Sequence, residues 1–224
     1  MVGMTPGHHI QRRIILDLAK ATRLRYSELK PRELESNSFM YHLKELMKRG
    51  LVEQHNDKSY SLTPSGVSYF DSVTLTNNQP RRQPKIICIL IVRDNEGRYL
   101  FAKRKMQPNI NTWMLPSGKQ HFGESVSEHA IRELNDQIGI DAIPARAGVA
   151  DIRLNTRGEL VTHLMANVYA TTYTGKPPDA NDRFEYSWIA KDELDDATPG
   201  TRDLIEAFES SDNFALELDL EFDS

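Results

Sequence analysis

The sequence has few of the features that mark secreted or membrane proteins. It contains one cysteine, Cys88, among 224 residues, which excludes an internal disulfide framework and fits a reducing compartment. No apolar run approaches the roughly 20 residues of a membrane-spanning helix. The amino terminus also has no basic start followed by an apolar core, so it does not resemble a secretion signal. We therefore expect a cytoplasmic protein that does not act at a membrane.

Positive charge is scarce in the larger, second part of the chain. Residues 1–85 contain 14 Lys and Arg against 8 Asp and Glu, whereas the remainder contains 14 against 24. Opposite charge balances predict two domains with different partners. The polar, proline-containing stretch 73–84 has no apolar periodicity and is typical of a linker. The predicted boundaries are therefore 1–72 for the first domain, 85–209 for the second, and 210–224 for an acidic tail.

The first domain is predicted to contain three helices followed by a hairpin. Helical spacing predicts a first helix at Ile10, Ile14 and Leu18, and a short second helix ends before Pro31, which disfavours helix in the residue before it. A third helix with Phe39 on its apolar side precedes two strands around residues 55–58, and a last helical piece follows them. Three helices and a hairpin are the element order of a winged helix.

Over residues 8–72 the first domain resembles bacterial winged-helix regulators. The resemblance lies in two runs: Met40-Tyr41-His42-Leu43-x-x-Leu46-x-x-x-Gly50-Leu51-Val52 and Leu62-Thr63-Pro64-x-Gly66. It implies that the third helix enters the major groove of double-stranded DNA and that the hairpin lies along the backbone. The candidate DNA contacts are Asn37, Ser38, Tyr41, His42 and Lys48 on the helix and Lys58 on the hairpin. The alternative is a solvated face used for dimerisation or protein contact.

One short helix in the second domain separates its residues by face. Ser125 and Glu128 form a capping box, and Gly139 is the residue that ends the helix. The apolar stripe consists of Val126, Ala130, Leu134 and Ile138. Glu133, Asp136 and Gln137 lie on the neighbouring face, with His129 four residues before Glu133. Two carboxylates and an amide can gather oxygens around Mg²⁺, although a solvated acidic face is the alternative.

The wider stretch resembles the Nudix hydrolase family. The family's box has a glycine, then a glutamate after five residues, then Arg-Glu-aliphatic-x-Glu-Glu-x-Gly-aliphatic after seven more. The chain matches it with unbroken spacing at Gly118, Glu124, Arg132, Glu133, Leu134, Gly139 and Ile140. It departs from the box at the paired glutamates, where Asp136 keeps the charge on a shorter arm and Gln137 loses it. The resemblance implies an α/β fold, with a mixed sheet between helices in an α/β/α sandwich.

The same resemblance implies roles for individual residues. It implies Mg²⁺ or Mn²⁺ as the cofactor, held by the Gly118 carbonyl, Glu133, Asp136 and Gln137. Catalysis would involve Glu133, Asp136, Gln137 and an additional acid, for which Glu185 is the first candidate and Asp182 the second. Arg104 and Lys119 are candidate contacts for substrate phosphate, and a solvated basic run is the alternative for Arg104. Glu124, Arg132 and Gly139 would hold the loop and helix in place.

Two functional hypotheses follow from this pattern. In the first, the chain is a metal-dependent hydrolase of a nucleoside diphosphate-linked compound, weakened by Gln137, with a winged-helix regulatory domain. In the second, it is a transcription regulator whose Nudix domain binds a nucleotide effector with little or no turnover. We expect a homodimer in either case. The alternating tail Leu216 to Asp223 is either disordered or an added edge strand of a sheet.

Overall fold

A computed structural model of the protein describes residues 8–72, 82–106 and 109–221. The chain divides into two compact units, residues 1–82 and 83–224. Residues 73–81, most of the predicted linker, lie outside the described residues. In the part of the chain that is described, no helix is long and apolar enough to cross a membrane.

The first unit contains the helices and hairpin that the apolar spacing predicts. Its elements are α1 (His9–Ala19), β1 (Leu24–Arg25), α2 (Tyr26–Leu29), α3 (Ser36–Lys48), β2 (Val52–Gln54), β3 (Ser59–Leu62) and α4 (Pro64–Ser72). The strands form an antiparallel sheet in the order β1-β3-β2. Ile14, Leu29, Phe39, Leu43 and Leu46 are buried together in its core. The predicted order of three helices and a hairpin is thus confirmed.

The second unit is built on a mixed eight-stranded sheet. Its elements are β4 (Lys85–Arg93), β5 (Tyr99–Arg104), β6 (Trp113–Met114), β7 (Ser117–Lys119), α5 (Val126–Ile138), β8 (Ala145–Thr156), β9 (Glu159–Thr172), β10 (Phe184–Ile189), α6 (Thr201–Ser210) and β11 (Phe214–Glu221), with a 3₁₀ turn at Lys191–Glu193. The main order is β10-β5-β4-β9-β8-β11, while β6 pairs with β5 and β7 with β4. β4 is parallel to β9 and β8 to β11, so the predicted mixed sheet is confirmed.

The sheet lies between two helices because its strands are apolar on both faces. The side chains of α5, including Leu134, pack with Cys88 and Leu90 on one face. Those of α6, including Ile205, pack with Ile89 and Ile91 on the other. Burial raises the pKa of the Cys88 thiol to about 12, consistent with a packing residue. This layer order places the carboxyl-terminal half of α5 against β7, where the candidate site lies.

The acidic end of the chain forms an edge strand, one of the two alternatives for it. β11 pairs in parallel with β8, from Phe214 opposite Gly148 to Glu221 opposite Asn155. Its alternate apolar residues Phe214, Leu216, Leu218 and Leu220 join the core on the α6 side, whereas Glu217 is exposed. An added Cβ at Gly148 would lie 2.5 Å from the Phe214 carbonyl oxygen. Glycine at this position therefore permits the close approach of the last strand.

We predict that Leu218→Ala lowers the free energy of unfolding of the second unit by about 2–5 kcal/mol, the usual range for deleting a buried leucine side chain. Leu218 is 8% exposed and belongs to the core on the α6 side. Both tryptophans, Trp113 and Trp188, are in this unit, so urea unfolding followed by their fluorescence reports on it. The matched control is Glu217→Ala on the exposed face of the same strand. An equal stability for both variants would show that β11 does not contribute to the core.

Candidate active site

The ends of α5 are fixed by the residues that the sequence singles out. The Ser125 side chain accepts a hydrogen bond from the Glu128 backbone N–H at 3.2 Å, and Glu128 accepts one from the Ser125 backbone N–H at 2.8 Å. At the other end Gly139 has φ 73°, in the left-handed region, which glycine adopts readily. The predicted capping box and helix end are both present. They fix the helix so that Glu133 and Gln137 face β7.

Arg132 ties the loop before α5 to the helix. Its Nε donates to Glu124 Oε1 at 2.7 Å, and its second terminal nitrogen donates to Glu124 Oε2 at 3.0 Å. The same nitrogen donates to the Lys119 carbonyl at 3.3 Å. Glu124 also accepts a hydrogen bond from the His121 backbone N–H at 3.0 Å. A two-point guanidinium–carboxylate pair is directional as well as strong, so this contact fixes the loop.

The Glu124–Arg132 pair predicts an acid-sensitive fold. The hydrogen bond from Arg132 lowers the pKa of Glu124 from its ordinary 4.5 to about 2. A carboxyl group with a lowered pKa stabilises the fold above its unfolded value and loses that contribution as pH falls through the folded one. We expect the urea midpoint of the second unit to decrease between about pH 5 and about pH 2, and Glu124→Gln to flatten this decrease. An unchanged pH profile in Glu124→Gln would contradict the assignment.

Glu133 is buried beneath the loop, and its carboxylate is bonded on both oxygens. Arg132 donates to Glu133 Oε1 at 2.7 Å, and Gln137 Nε2 donates to Glu133 Oε2. The carboxylate lies directly over Gly118, where an added Cβ would be 2.0 Å from the Glu133 carboxyl carbon. Only glycine leaves room at this position. Glycine is therefore required at position 118 because its missing side chain leaves space for Glu133.

Gln137 connects the helix to the backbone of β7. Its Nε2 donates to the Ser117 carbonyl at 2.9 Å as well as to Glu133. The Ser117 carbonyl oxygen is thus a backbone acceptor for a side chain of the helix, and the role of the Gly118 carbonyl as a metal ligand stays a prediction. Ser117 carries no side-chain signal for this role, because any residue at that position supplies the same carbonyl oxygen.

His129 lies behind Glu133 and not on an exposed polar face. Its side chain is fully buried, with Nε2 3.7 Å from Glu133 Oε1. Burial lowers its pKa, which favours the neutral ring. Helical spacing correctly placed His129 beside Glu133, but it did not reveal that the loop before α5 covers this side of the helix.

The remaining candidate ligands do not assemble around a cation in this arrangement. The Asp136 side chain is 62% exposed and lies 3.9 Å from Arg132 at its nearest. Lys119 is also exposed. Within residues 8–72, 82–106 and 109–221 there is no group of three or more His, Cys, Asp or Glu side chains that could hold a metal ion. With both Glu133 oxygens engaged, the donor set as it stands does not fit Mg²⁺ or Mn²⁺, which prefer several free oxygens.

The end of β5 places Arg104 on the α5 side of the sheet. Arg104 follows the alternation of Leu100 and Ala102, which pack beneath α5, and it lies opposite Phe184 on β10. Burial lowers the pKa of Arg104, and the positive charge of Arg183 lowers it further. The Arg104 side chain also donates to the Met106 carbonyl oxygen at 3.4 Å and lies 3.9 Å from the Met114 sulfur.

Glu185 is not brought to the Glu133 site. Its neighbours Phe184 and Tyr186 pack beneath α5, so strand alternation directs Glu185 to the opposite face, where it is exposed and lies opposite Lys103. Asp182 is exposed in the loop before β10. Sequence reasoning missed Tyr186, whose hydroxyl is buried on the α5 side. Its pKa is raised by burial, and the charge of Glu133 contributes.

In the first unit, five of the six candidate DNA contacts are exposed. Tyr41 is 61% exposed, and Asn37, Ser38, Lys48 and Lys58 are also exposed. His42 differs because it is buried and its ring stacks on that of His8 at a centroid distance of 4.0 Å. Its ring also packs edge-on against that of Tyr41, at a centroid distance of 5.2 Å, so neighbouring rings cover it.

Comparison with known proteins identifies relatives over part of the chain. The chain is 27% identical over 93 residues to the RNA pyrophosphohydrolase of Sphingopyxis alaskensis, covering 40% of this chain and 56% of that protein. It is 24% identical over 127 residues to the RNA pyrophosphohydrolase of Erythrobacter litoralis, covering 47% and 75%. An uncharacterized Nudix hydrolase of Bacillus subtilis, YvcI, is 30% identical over 84 residues, covering 37% and 53%. The chain thus spans little more than half the length of two of these relatives.

Solved structures share the fold over part of the chain. The MutT protein from Methanosarcina mazei Go1 matches with a TM-score of 0.50 and 24% identity, covering 58% of this chain and 96% of that one. A bifunctional NMN adenylyltransferase/ADP ribose pyrophosphatase from Francisella tularensis has a TM-score of 0.50 and 18% identity, covering 78% and 52%. The NUDIX domain family itself matches residues 82–208. Since this match covers more than half of the chain, the protein belongs to the NUDIX domain family.

Proposed function

We propose that the second unit is a pyrophosphohydrolase that cleaves a nucleoside diphosphate-linked compound slowly. The observation that carries the proposal is the buried Glu133, held over Gly118 by Arg132 at the box helix. Two relatives named RNA pyrophosphohydrolases support this reaction class. The slow rate is proposed because Gln137 replaces a carboxylate of the box and binds Glu133.

The residues around the helix have distinct proposed tasks. A diphosphate is strongly anionic, so it needs positive groups to bind and orient it. The planar Arg104 guanidinium matches phosphate oxygens with two parallel hydrogen bonds, and the charge of Arg183 acts on the same region. Arg132 positions Glu133 and does not itself contact substrate. Lys119, exposed at the start of the loop, supplies a further positive charge to an arriving phosphate.

The proposal is tested by measuring phosphate release from a panel of nucleoside diphosphate derivatives. The 224-residue chain is incubated with each compound in magnesium or manganese buffer, and a phosphatase converts the phosphomonoester products to inorganic phosphate. We expect slow release from at least one compound, abolished in Arg104→Ala at subsaturating substrate. A lack of release from every compound would contradict the proposed hydrolysis.

A second candidate function is that of a nucleotide-sensing regulator with little turnover. The hydrogen bond from Gln137 to Glu133 favours it, because the central carboxylate is then engaged within the protein. In this proposal the first unit is a winged helix in which α3 enters the major groove and the β2–β3 hairpin contacts phosphates. The exposed Tyr41 and Lys48 on α3 and Lys58 on the hairpin support that geometry. The homodimer stays a prediction.

DNA binding by the first unit is tested by fluorescence anisotropy with labelled duplex DNA. We expect affinity to fall steeply with salt, since phosphate contacts release counterions. The double variant Lys48→Glu/Lys58→Glu is expected to weaken binding about 10-fold or more, whereas Lys20→Glu, on an exposed position after α1, leaves it nearly unchanged. Equal affinities of both variants would contradict the proposed face. Release of the DNA by a nucleotide that is not hydrolysed would favour the regulator.

A further inference from the structure

We infer that the Gln137 amide occupies the place at which a divalent cation would meet Glu133, so that cation binding competes with a hydrogen-bond network of the protein itself. The inference rests on the proposed function only in that Glu133 is taken as the central carboxylate of the site. It concerns Gln137, the one position at which the box has a charged residue and this chain carries a neutral one.

The Nε2 atom of Gln137 lies between two oxygens that would suit a cation. It donates to the Ser117 carbonyl at 2.9 Å and to Glu133 Oε2. A carbonyl oxygen and a carboxylate oxygen that face a common point are typical ligands of hard divalent ions. The amide NH₂ group has two protons, one for each of these oxygens. It therefore satisfies both oxygens without a metal ion.

A glutamate at position 137 could not make this arrangement. An ionised carboxylate has no proton to donate, so its oxygens would repel Glu133 Oε2 and the Ser117 carbonyl oxygen. Such a cluster of oxygens requires a cation for stability, whereas the glutamine forms a closed neutral contact. The other oxygen, Glu133 Oε1, is already held by Arg132 at 2.7 Å. Each oxygen of this buried carboxylate thus accepts a hydrogen bond from the protein.

The oxygen atom of the Gln137 amide also supports competition between this amide and a cation. Gln137 Oε1 is buried and accepts no hydrogen bond, so the orientation of the amide is determined by the two acceptors on its Nε2 side. A ligand role for Gln137 would instead require its oxygen to face Ser117 and Glu133. In the arrangement observed, the amide presents protons to those oxygens and opposes a positive ion.

The inference is tested by Mn²⁺ binding to the 224-residue chain, measured by electron paramagnetic resonance without nucleotide. Gln137→Ala removes the competing amide without adding charge, so we expect it to bind Mn²⁺ at least threefold more tightly than the native chain. Gln137→Glu adds a carboxylate and is expected to bind about 100-fold more tightly, since ligand charge tunes affinity over such ranges. Asn135→Ala, at an exposed position of the same helix, is the matched control and is expected to match the native chain.

The two variants separate competition from ligation. If Gln137 were an ordinary neutral ligand, Gln137→Ala would bind Mn²⁺ more weakly than the native chain, and equal or weaker binding overturns the inference. Thermal unfolding followed by tryptophan fluorescence verifies that each variant is folded. Should Gln137→Ala not fold, binding by Gln137→Glu decides, because an affinity equal to that of the native chain overturns the inference. Phosphate release is measured on the same samples, so absent hydrolysis with the expected Mn²⁺ affinities rejects only the proposed function.

Discussion

Replacing Gln137 with glutamate is expected to increase the rate of phosphoanhydride hydrolysis by about 100-fold, the scale on which a positioned acid–base group contributes. The physical reason is that glutamine has two unfavourable effects on the site. It lacks the negative charge of the box carboxylate, and its Nε2 engages both Glu133 and the Ser117 carbonyl. Glutamate restores the charge and releases both oxygens. The measurement is kcat for phosphate release in saturating magnesium, with the substrate that the panel identifies.

The matched control for this gain is Asn135→Glu. It adds the same charge to the same helix, but at an exposed position that does not face β7. We expect its kcat to stay within about twofold of the native value, since an exposed charge is largely screened at physiological salt. If kcat increased equally in Asn135→Glu and Gln137→Glu, the increase would come from the net charge of the helix. The proposed role of Gln137 in lowering the rate would then be wrong.

Replacing Arg132 with alanine is expected to lower the free energy of unfolding of the second unit by about 3–5 kcal/mol, the range for removing one partner of a buried ion pair. Arg132 contacts two carboxylates, and the side chains of Glu124 and Glu133 are only 13% and 8% exposed. Without the guanidinium both would be left as nearly buried, unpaired charges. Urea unfolding followed by the fluorescence of Trp113 and Trp188 measures the change.

Two comparisons make the Arg132 result specific. Arg146→Ala removes an exposed arginine of β8 and is expected to change stability by less than about 0.5 kcal/mol, as surface substitutions usually do. The double variant Arg132→Met/Glu124→Met removes the pair together, and we expect it to be more stable than Arg132→Ala, because no buried charge remains at position 124. A loss below about 1 kcal/mol for Arg132→Ala would contradict the pairing.

The elements that could be predicted from the sequence are those set by local signals. Ser125 and Gly139 fixed the ends of α5, because capping and a left-handed helix end need only the nearest residues. No local signal marks β8, because its run Ala145–Thr156 mixes small, charged and apolar residues without a clean alternation. Local signals do not decide between a disordered tail and a strand, because parallel pairing of β11 with β8 joins distant parts of the chain.

The site was predictable where the helix repeat determines it and not where other elements complete it. Spacing placed Glu133 and Gln137 on one face, but the acceptor from β7 is a backbone carbonyl of Ser117, which leaves no trace in the sequence. Glu185 is the first candidate for the additional acid, yet strand alternation places it on the face opposite to Tyr186. The side of a strand that meets a helix is decided by packing, so residue type and spacing alone did not determine it.

The rate of phosphate release by Glu133→Gln, compared with Glu185→Gln, tests the central claim most directly. Both changes remove one negative charge with almost no change in shape, but only Glu133 lies at the box helix over Gly118. We predict a loss of at least about 100-fold in Glu133→Gln, as for a group that acts in the reaction, and a rate within about twofold of native in Glu185→Gln. A native rate in Glu133→Gln, or an equal loss in both variants, would contradict a hydrolytic site centred on Glu133.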